Sequence, residues 1–191
     1  MPSPFQQSLA EHRSLFDCLD ALETPISRAA ETIAACLRGG GKLLLCGNGG
    51  SAADSSHFST EIACRFRDDR RPYPSIALAA DASLHTAIGN DYSFDQIFAR
   101  QVWAYGKPGD ILIAFTTSGR SPNILAALDE ARRRELKTIA FLGRGGASAA
   151  GKADIEIAIP AQFTATARIQ EAHKFLLHVL CELLEDALPR T

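Results

Sequence analysis

The stretch that decides the fold is Lys42-Leu-Leu-Leu-Cys46 followed by Gly47-Asn48-Gly49-Gly50-Ser51. The apolar run predicts a buried β-strand, and the glycines after it predict a tight turn that opens a helix. Strand-like runs recur at 75–79, 110–115, 137–142 and 154–159. Strands that are apolar along most of their length and alternate with helices form a parallel sheet with both faces covered. The sequence therefore predicts an α/β fold, a three-layer αβα sandwich around a five-stranded parallel sheet.

Helical periodicity predicts the remaining elements. Apolar residues recur at helical spacing from Phe5 to Leu37, and Thr24-Pro25 interrupts the run, so two N-terminal helices with a break there are expected. Further helices are predicted at 93–105, 122–134 and 166–188. No linker or internal repeat is evident, so residues 1–191 are expected to form one domain, with the helices of 1–38 packing on it and on neighbouring subunits.

Composition and charge restrict the function. The 191 residues are 46% apolar and 22% charged, enough for one packed core. Twenty Lys and Arg oppose 22 Asp and Glu, so the basic surface that nucleic-acid binding needs is missing. The apolar runs are far shorter than the roughly 20 residues of a membrane span, and no secretion-signal pattern is present, so we expect a cytoplasmic protein that binds neither nucleic acid nor membrane. Five scattered cysteines predict reduced core residues.

The first turn, Gly47 to Ala52, lies where open parallel sheets bind their ligands, at the carboxyl end of a strand. It also fits the loose dinucleotide pattern G-x-G-x-x-G/A, whose glycines let backbone amides approach a phosphate. Asp68 and Asp69 lie at about the spacing of a ribose-binding acid, but within a charged loop. Nicotinamide or flavin binding is therefore not favoured.

The second turn, Thr116-Thr117-Ser118-Gly119-Arg120-Ser121, places four hydroxyl groups around one glycine at the start of a helix. Ser121, directly before Pro122, has the alternative role of capping that helix. Hydroxyls and free amides at a helix N-terminus bind a phosphate monoester. Because the lysine of a Walker loop is absent, the phosphate is predicted to be a binding handle rather than the reacting group.

The two turns resemble the signature loops of the sugar isomerase (SIS) domain, a family that binds phosphosugars. Three further stretches resemble one branch, the phosphoheptose isomerases: His57-Phe58-Ser59-Thr60-Glu61, Gly89-Asn90-Asp91-Tyr92, and Arg168-Ile-Gln-Glu-Ala-His173 followed by His178. This resemblance covers nearly the whole chain. It implies a flavodoxin- or Rossmann-like sheet, a homotetramer with sites at subunit boundaries, and isomerisation of D-sedoheptulose 7-phosphate to D-glycero-D-manno-heptose 7-phosphate for a bacterial surface glycan such as lipopolysaccharide.

His57 and Glu61 form the candidate reaction centre, since a spacing of four places both on one face of the helix after the first turn. A surface pair that only stabilises a helix has the same spacing. Interconverting a ketose and an aldose through an enediol needs a base and an acid, and Glu61 is the predicted base with His178 as its partner. The resemblance implies that His57, Glu61, Gln170 and His178 hold one zinc ion per subunit. Eight residues span about 12 Å of helix, so a ligand shared by Gln170 and His178 strains the reach of both side chains. A local helix distortion or contributions from neighbouring subunits would relieve this strain.

The predicted substrate-binding residues come from both turns and from the resemblance. They are Asn48, Gly49, Gly50, Ser51, Glu61, Asn90, Asp91, Thr116, Thr117, Ser118, Ser121 and Gln170. Asn48, Asn90 and Asp91 are equally suited to stabilising turns. Thr116 and Arg120 depart from the serine and asparagine common in the family. Threonine keeps the hydroxyl, whereas Arg120 either strengthens anion binding or points to solvent.

Two other functions suit the same fold. One is a non-catalytic SIS protein that binds a phosphosugar and regulates a partner, such as a relative that associates with a replication initiator. That relative lacks the catalytic residues, so the presence of His57, Glu61, Gln170 and His178 favours an enzyme. The other is an isomerase of a different sugar phosphate, which substrate profiling distinguishes.

Overall fold

The computed structural model describes residues 1–189. Its five strands form one parallel sheet in the order β2-β1-β3-β4-β5. The strands are β1 (Leu43–Gly47), β2 (Ser75–Ala77), β3 (Ile111–Thr116), β4 (Lys137–Leu142) and β5 (Ile155–Ala158). The strand order reverses between β1 and β3, the two strands that the signature turns follow. Ligands of open α/β sheets bind at this switch point.

Helices cover both faces of the sheet, which confirms the predicted three-layer sandwich. On one face lie α2 (Glu23–Arg38), α3 (Gly50–Ala63) and α7 (Thr166–Ala187). On the other lie α4 (Ala82–Asp91), α5 (Ala99–Tyr105) and α6 (Pro122–Arg133). The remaining helix, α1 (Pro4–Phe16), buries only Leu15.

Alternation along the strands separates the two cores. In β1, Leu43 and Leu45 join the core under α2, α3 and α7, while Leu44 and Cys46 join the core under α4, α5 and α6. All four side chains are fully buried, and each fully buried aliphatic side chain contributes about 1.5–3 kcal/mol to folding. The two cores fix the sheet and therefore the edge on which the turns lie.

The N-terminal helices and the region before β3 differ from the sequence prediction. The N-terminal break is a 3₁₀ turn at Leu19–Leu22, whereas Pro25 lies in the first turn of α2, where a missing N–H breaks no helical hydrogen bond. The helix predicted at 93–105 begins only at Ala99, after a 3₁₀ turn at Phe94–Gln96. Helix α4 is not predicted by the apolar pattern, because Ile88 is its only buried residue.

All five cysteines are free thiols. Cys46 and Cys181 are buried, Cys18 and Cys36 are half-buried, and Cys64 is exposed, so the core assignment is wrong for Cys64. Burial raises the pKa of the Cys181 thiol to about 12, which keeps it protonated at neutral pH. Within residues 1–189, none of the helices combines the length and apolar character needed to span a bilayer.

Candidate active site

An amide pair joins the two signature turns at the carboxyl edge of the sheet. Asn48 follows β1, and Asn123 lies in the first turn of α6. Each side-chain Nδ2 donates to the Oδ1 of the other residue at 2.8 Å. Asn123 is only 1% exposed. Sequence reasoning identified Asn48 but missed Asn123, and the only signal for it was its place just after Pro122.

Three hydroxyls of the second turn converge. The oxygen atoms of Thr116, Ser118 and Ser121 lie 3.4 to 3.5 Å from one another. Ser121 is the N-cap residue of α6, yet its side chain makes no capping hydrogen bond. Its hydroxyl therefore faces the same point as the other two, with the positive end of the α6 dipole behind it. Such an arrangement can bind a phosphate.

Gly119 gives this turn its shape. Its φ of +63° lies in the left-handed region, and its amide donates to Thr116 Oγ1 at 3.1 Å. A Cβ at this position would overlap the carbonyl of Gly146. Thr117 is half-buried beside it, and Arg120 is exposed, contributing a backbone amide that donates to Ser118 Oγ at 3.2 Å.

The first turn lies against the start of α7. Gly49, with a φ of +56°, precedes α3, and Gly50 is the first residue of that helix. A side chain at Gly50 would overlap the side-chain amide of Gln170. Ser51 is buried, and its carbonyl accepts a hydrogen bond from Ser55 Oγ at 2.9 Å. The side-chain amide of Gln170 thus lies against the backbone of Gly50, which has no side chain.

His57 is the centre of the candidate reaction site. Its Nε2 lies 2.9 Å from His178 Nε2 and 3.3 Å from Glu61 Oε1. His57 and Glu61 come from α3 and His178 from α7. Burial, followed by the charge of Lys174, lowers the pKa of His57, although the Glu61 carboxylate opposes the shift. The lowered pKa favours the neutral ring, which contacts a carboxylate from its own helix and a second imidazole from α7.

Asn90 and Asp91 lie elsewhere. They are the last two residues of α4 and are exposed. Asn90 Nδ2 donates to Asp91 Oδ1 at 2.8 Å. In residues 1–189 of one chain, no hydrogen bond joins them to either signature turn or to the His57 centre.

The SIS domain family matches residues 9–143 of the chain. The phosphoheptose isomerase of Shewanella frigidimarina is 47% identical over 175 residues, which are 90% of this chain and 88% of that protein. The chain belongs to the phosphoheptose isomerase family. Solved phosphoheptose isomerases from Neisseria gonorrhoeae and Francisella tularensis share its fold, with TM-scores of 0.84 and 0.85 at 38% and 39% identity. They cover 95% of this chain, and the aligned region is 95% and 94% of theirs.

Membership in the phosphoheptose isomerase family confirms the resemblance seen in the motifs and makes the chain a sugar-phosphate isomerase. Both signature turns, the glycine-rich one after β1 and the hydroxyl-rich one after β3, are therefore features of a single family. Its fold is also the fold that the strand and helix pattern predicts.

Of the four residues predicted to hold zinc, His57 contacts Glu61 and His178, whereas Gln170 lies apart from them, beside Gly50. Helix α7 runs without interruption, so no distortion brings Gln170 towards His178. Among residues 1–189, no three or more His, Cys, Asp and Glu side chains are placed to hold a metal ion. The donor types nevertheless fit zinc, which prefers neutral imidazole and carboxylate, and His57 is held neutral between one donor of each kind.

Arg70 is a further residue that sequence reasoning missed. Its buried guanidinium donates to the backbone carbonyls of Glu61 at 2.6 Å and Ile62 at 3.0 Å. These carbonyls belong to the last turn of α3, where no helical amide follows to bond them. Arg70 therefore caps the C-terminal end of α3 beside the candidate base. Sequence reasoning missed it because the charged loop that contains it resembles an ordinary exposed loop.

Proposed function

We propose that this chain interconverts D-sedoheptulose 7-phosphate and D-glycero-D-manno-heptose 7-phosphate, with Glu61 as the base and His178 as its acid–base partner. The observation that best supports the proposal is the contact of His57 with Glu61 and His178, at 3.3 and 2.9 Å. His57 and Glu61 lie on α3, the helix that begins directly at the first signature turn. The names of the related enzymes support the substrate.

The two turns bind the substrate in this proposal. The hydroxyls of Thr116, Ser118 and Ser121, with the amides at the start of α6, donate hydrogen bonds to the phosphate oxygens. The open backbone at Gly49 and Gly50 lets the sugar approach closely. The other residues assigned to the substrate are Asn48, Ser51, Glu61, Asn90, Asp91, Thr117 and Gln170.

Isomerisation moves one proton between adjacent carbons and one between the adjacent oxygens. In the ketose-to-aldose direction, Glu61 removes a proton from C1 while an acid protonates the carbonyl oxygen at C2, which forms the enediol. Glu61 then returns the proton to C2, and the hydroxyl at C1 loses its proton to become the aldehyde. His178 exchanges the protons of the two oxygens, because an imidazole can both donate and accept a proton.

We also propose one zinc ion per subunit, held by His57, Glu61, Gln170 and His178, with a neighbouring subunit contributing to each site because α7 is not distorted between Gln170 and His178. When bound there, zinc would supply Lewis-acid polarisation of the substrate's carbonyl and hydroxyl oxygens. The test is metal content: purified protein is expected to retain one zinc per chain by mass spectrometry, and His57→Ala is expected to lose it. Retention of the same zinc by His57→Ala would rule out this site.

We further propose that the protein is a homotetramer located in the cytoplasm. Its product would serve the synthesis of surface heptose, such as that of lipopolysaccharide. Support for assembly comes from α1, which leaves Phe5 75% exposed, and from α7, on which Phe175 is 43% exposed. The five free thiols suit a reducing compartment. Light scattering at micromolar concentration is expected to give four chains, and the 20.5 kDa mass of one chain would contradict this.

The activity is tested by following sedoheptulose 7-phosphate by NMR with the protein, with Glu61→Gln and with the control Glu31→Gln on the exposed face of α2. Aldoheptose signals are expected with the wild type and the control but not with Glu61→Gln. Binding of the sugar without turnover by the wild type would instead favour the non-catalytic SIS protein. Turnover of a pentulose or hexulose phosphate alone would assign a different substrate.

A further inference from the structure

Three contacts join α3 to α7 in the same order along both helices. They are Gly50 with Gln170, Asp54 with Lys174, and His57 with His178. Steps of three and four residues keep the members of each helix on one face. The first and third contacts involve residues assigned to the substrate, the zinc or the proton transfers. The middle contact includes none of those residues, and it acts on His57 only at a distance, through the charges of Lys174 and Asp54.

The middle contact is an ion pair with one buried member. Lys174 Nζ lies 2.7 Å from Asp54 Oδ1. The side chain of Asp54 is 8% exposed and that of Lys174 is 34% exposed. Asp54 Oδ2 is buried and has no hydrogen-bond partner among the described residues. Lys174 is therefore the cation that compensates a carboxylate with little access to water.

A pair of this kind adds little to net stability, because the loss of hydration offsets much of the attraction. Its effect on geometry is larger. A slip of one residue along a helix shifts a side chain by about 1.5 Å and turns it by about 100°. A charged contact halfway between the Gln170 and His178 contacts excludes such a slip at both, because it would leave the Asp54 carboxylate buried without its cation.

We propose that the Asp54–Lys174 ion pair is a positioning device that sets the register of α7 on α3. It thereby holds His178 against His57 and Gln170 against the first turn. Lys174 acts through these residues and does not contact the reacting atoms. The inference rests on the proposed function only for its kinetic test, since the register itself is a structural property.

The test compares Lys174→Met, Lys174→Arg and Asp54→Asn with a matched control. Lys152 controls for the loss of an ion-paired lysine of similar exposure: its Nζ lies 3.0 Å from Asp129 Oδ1, and the two side chains are 33% and 43% exposed. Lys174→Met is expected to lower kcat by about 10- to 100-fold, as a displacement near 1 Å does, with KM within about threefold. Lys174→Arg keeps a cation and is expected to retain activity, as is Lys152→Met.

A crystal structure of Lys174→Met provides a readout that needs no activity. The separation of His57 Nε2 and His178 Nε2 is expected to exceed the present 2.9 Å, and Gln170 is expected to leave Gly50. Unchanged contacts, or wild-type kcat in a folded variant, would overturn the positioning role. Should Lys174→Met not fold, Asp54→Asn decides the question with the same readouts. A wild-type protein that does not turn over the heptulose would refute the proposed function and leave the crystallographic test intact.

Discussion

The side-chain amides of Asn48 and Asn123 bond to each other twice, each Nδ2 donating to the other Oδ1 at 2.8 Å. Asn48 belongs to the turn after β1 and Asn123 to the helix after β3, so the pair spans the point at which the strand order reverses. Each amide keeps one N–H and one lone pair. Asn48 can therefore bind a sugar hydroxyl while Asn123 holds it in place.

Replacing Asn123 with alanine should weaken both stability and substrate binding. The change leaves the Asn48 amide without its partner, and an unpaired amide at a partly buried site costs about 1–3 kcal/mol. Urea unfolding is expected to show a loss of that size, and KM for the heptulose phosphate is expected to rise by about tenfold, equivalent to about 1.4 kcal/mol. A double-mutant cycle with Asn48→Ala gives the control. Fully additive losses would show that the two amides act independently.

Gly119→Ala should disrupt the hydroxyl turn. An alanine at a φ of +63° costs about 1–2 kcal/mol, and its Cβ would also overlap the Gly146 carbonyl. Gly109 is the matched control, since its φ is +95° but the space around it is open. In urea unfolding, Gly119→Ala is expected to lose clearly more stability than Gly109→Ala, and calorimetry should show weaker binding of the substrate. Equal losses of stability in the two variants would mean that the turn accommodates the overlap with Gly146 at no energetic cost.

Gly50→Ala should separate activity from stability. The three atoms nearest to the added Cβ all belong to the flexible end of Gln170, which can swing away, and alanine suits a helix better than glycine. Thermal unfolding is therefore expected to stay at or above the wild-type temperature, while kcat/KM falls by about tenfold or more because Gln170 leaves the turn. Gly89→Ala, with nothing near its Cβ, is the control and should keep wild-type activity. An active Gly50→Ala variant would exclude a role for Gln170.

Local patterns predicted most of the fold. The apolar run at 137–142 matches β4 at both ends, because a strand buried on both faces has few polar interruptions. Helix α4 escaped prediction because only Ile88 is buried on it and no apolar stripe marks it. The break after α1 comes before Thr24-Pro25, where the pattern predicts it, since proline in a first helical turn does not end a helix.

In the candidate site, too, contacts between residues close in sequence could be predicted, whereas contacts between distant residues could not. The spacing of His57 and Glu61 places them on one face of a helix, and they lie 3.3 Å apart. The contact of His57 with His178 joins residues 121 positions apart, and only the resemblance suggested it. Asn123, Asp54 and Lys174 were missed for the same reason: each matters through a partner from another element, and neither composition nor periodicity identifies such partners.

His173 should make the protein less stable as the pH falls. It is 0% exposed, with the rings of Phe115 and Phe141 beside it, and neither ring nitrogen makes a hydrogen bond of normal geometry. Burial lowers its pKa from 6.5 to about 4, although the nearby Leu142 backbone opposes this in part. Below pH 6.5 the His173 ring binds a proton in the unfolded chain but not in the folded protein. The free energy of unfolding therefore decreases progressively from pH 6.5 down to pH 4. The full loss is on the order of 3 kcal/mol, at about 1.4 kcal/mol per pH unit.

Urea unfolding of the wild type and His173→Leu between pH 7 and pH 4 measures the contribution of this one group. Carboxylates titrate in both proteins, so their effects cancel in the difference between the two curves. Leucine carries no titratable group, and its side chain suits the apolar contacts with Phe115 and Phe141. The free energies of unfolding are therefore expected to converge, or to cross in favour of the variant, as the pH falls. Curves that stay parallel would show that His173 gains its proton equally well in the folded protein, which its burial should prevent.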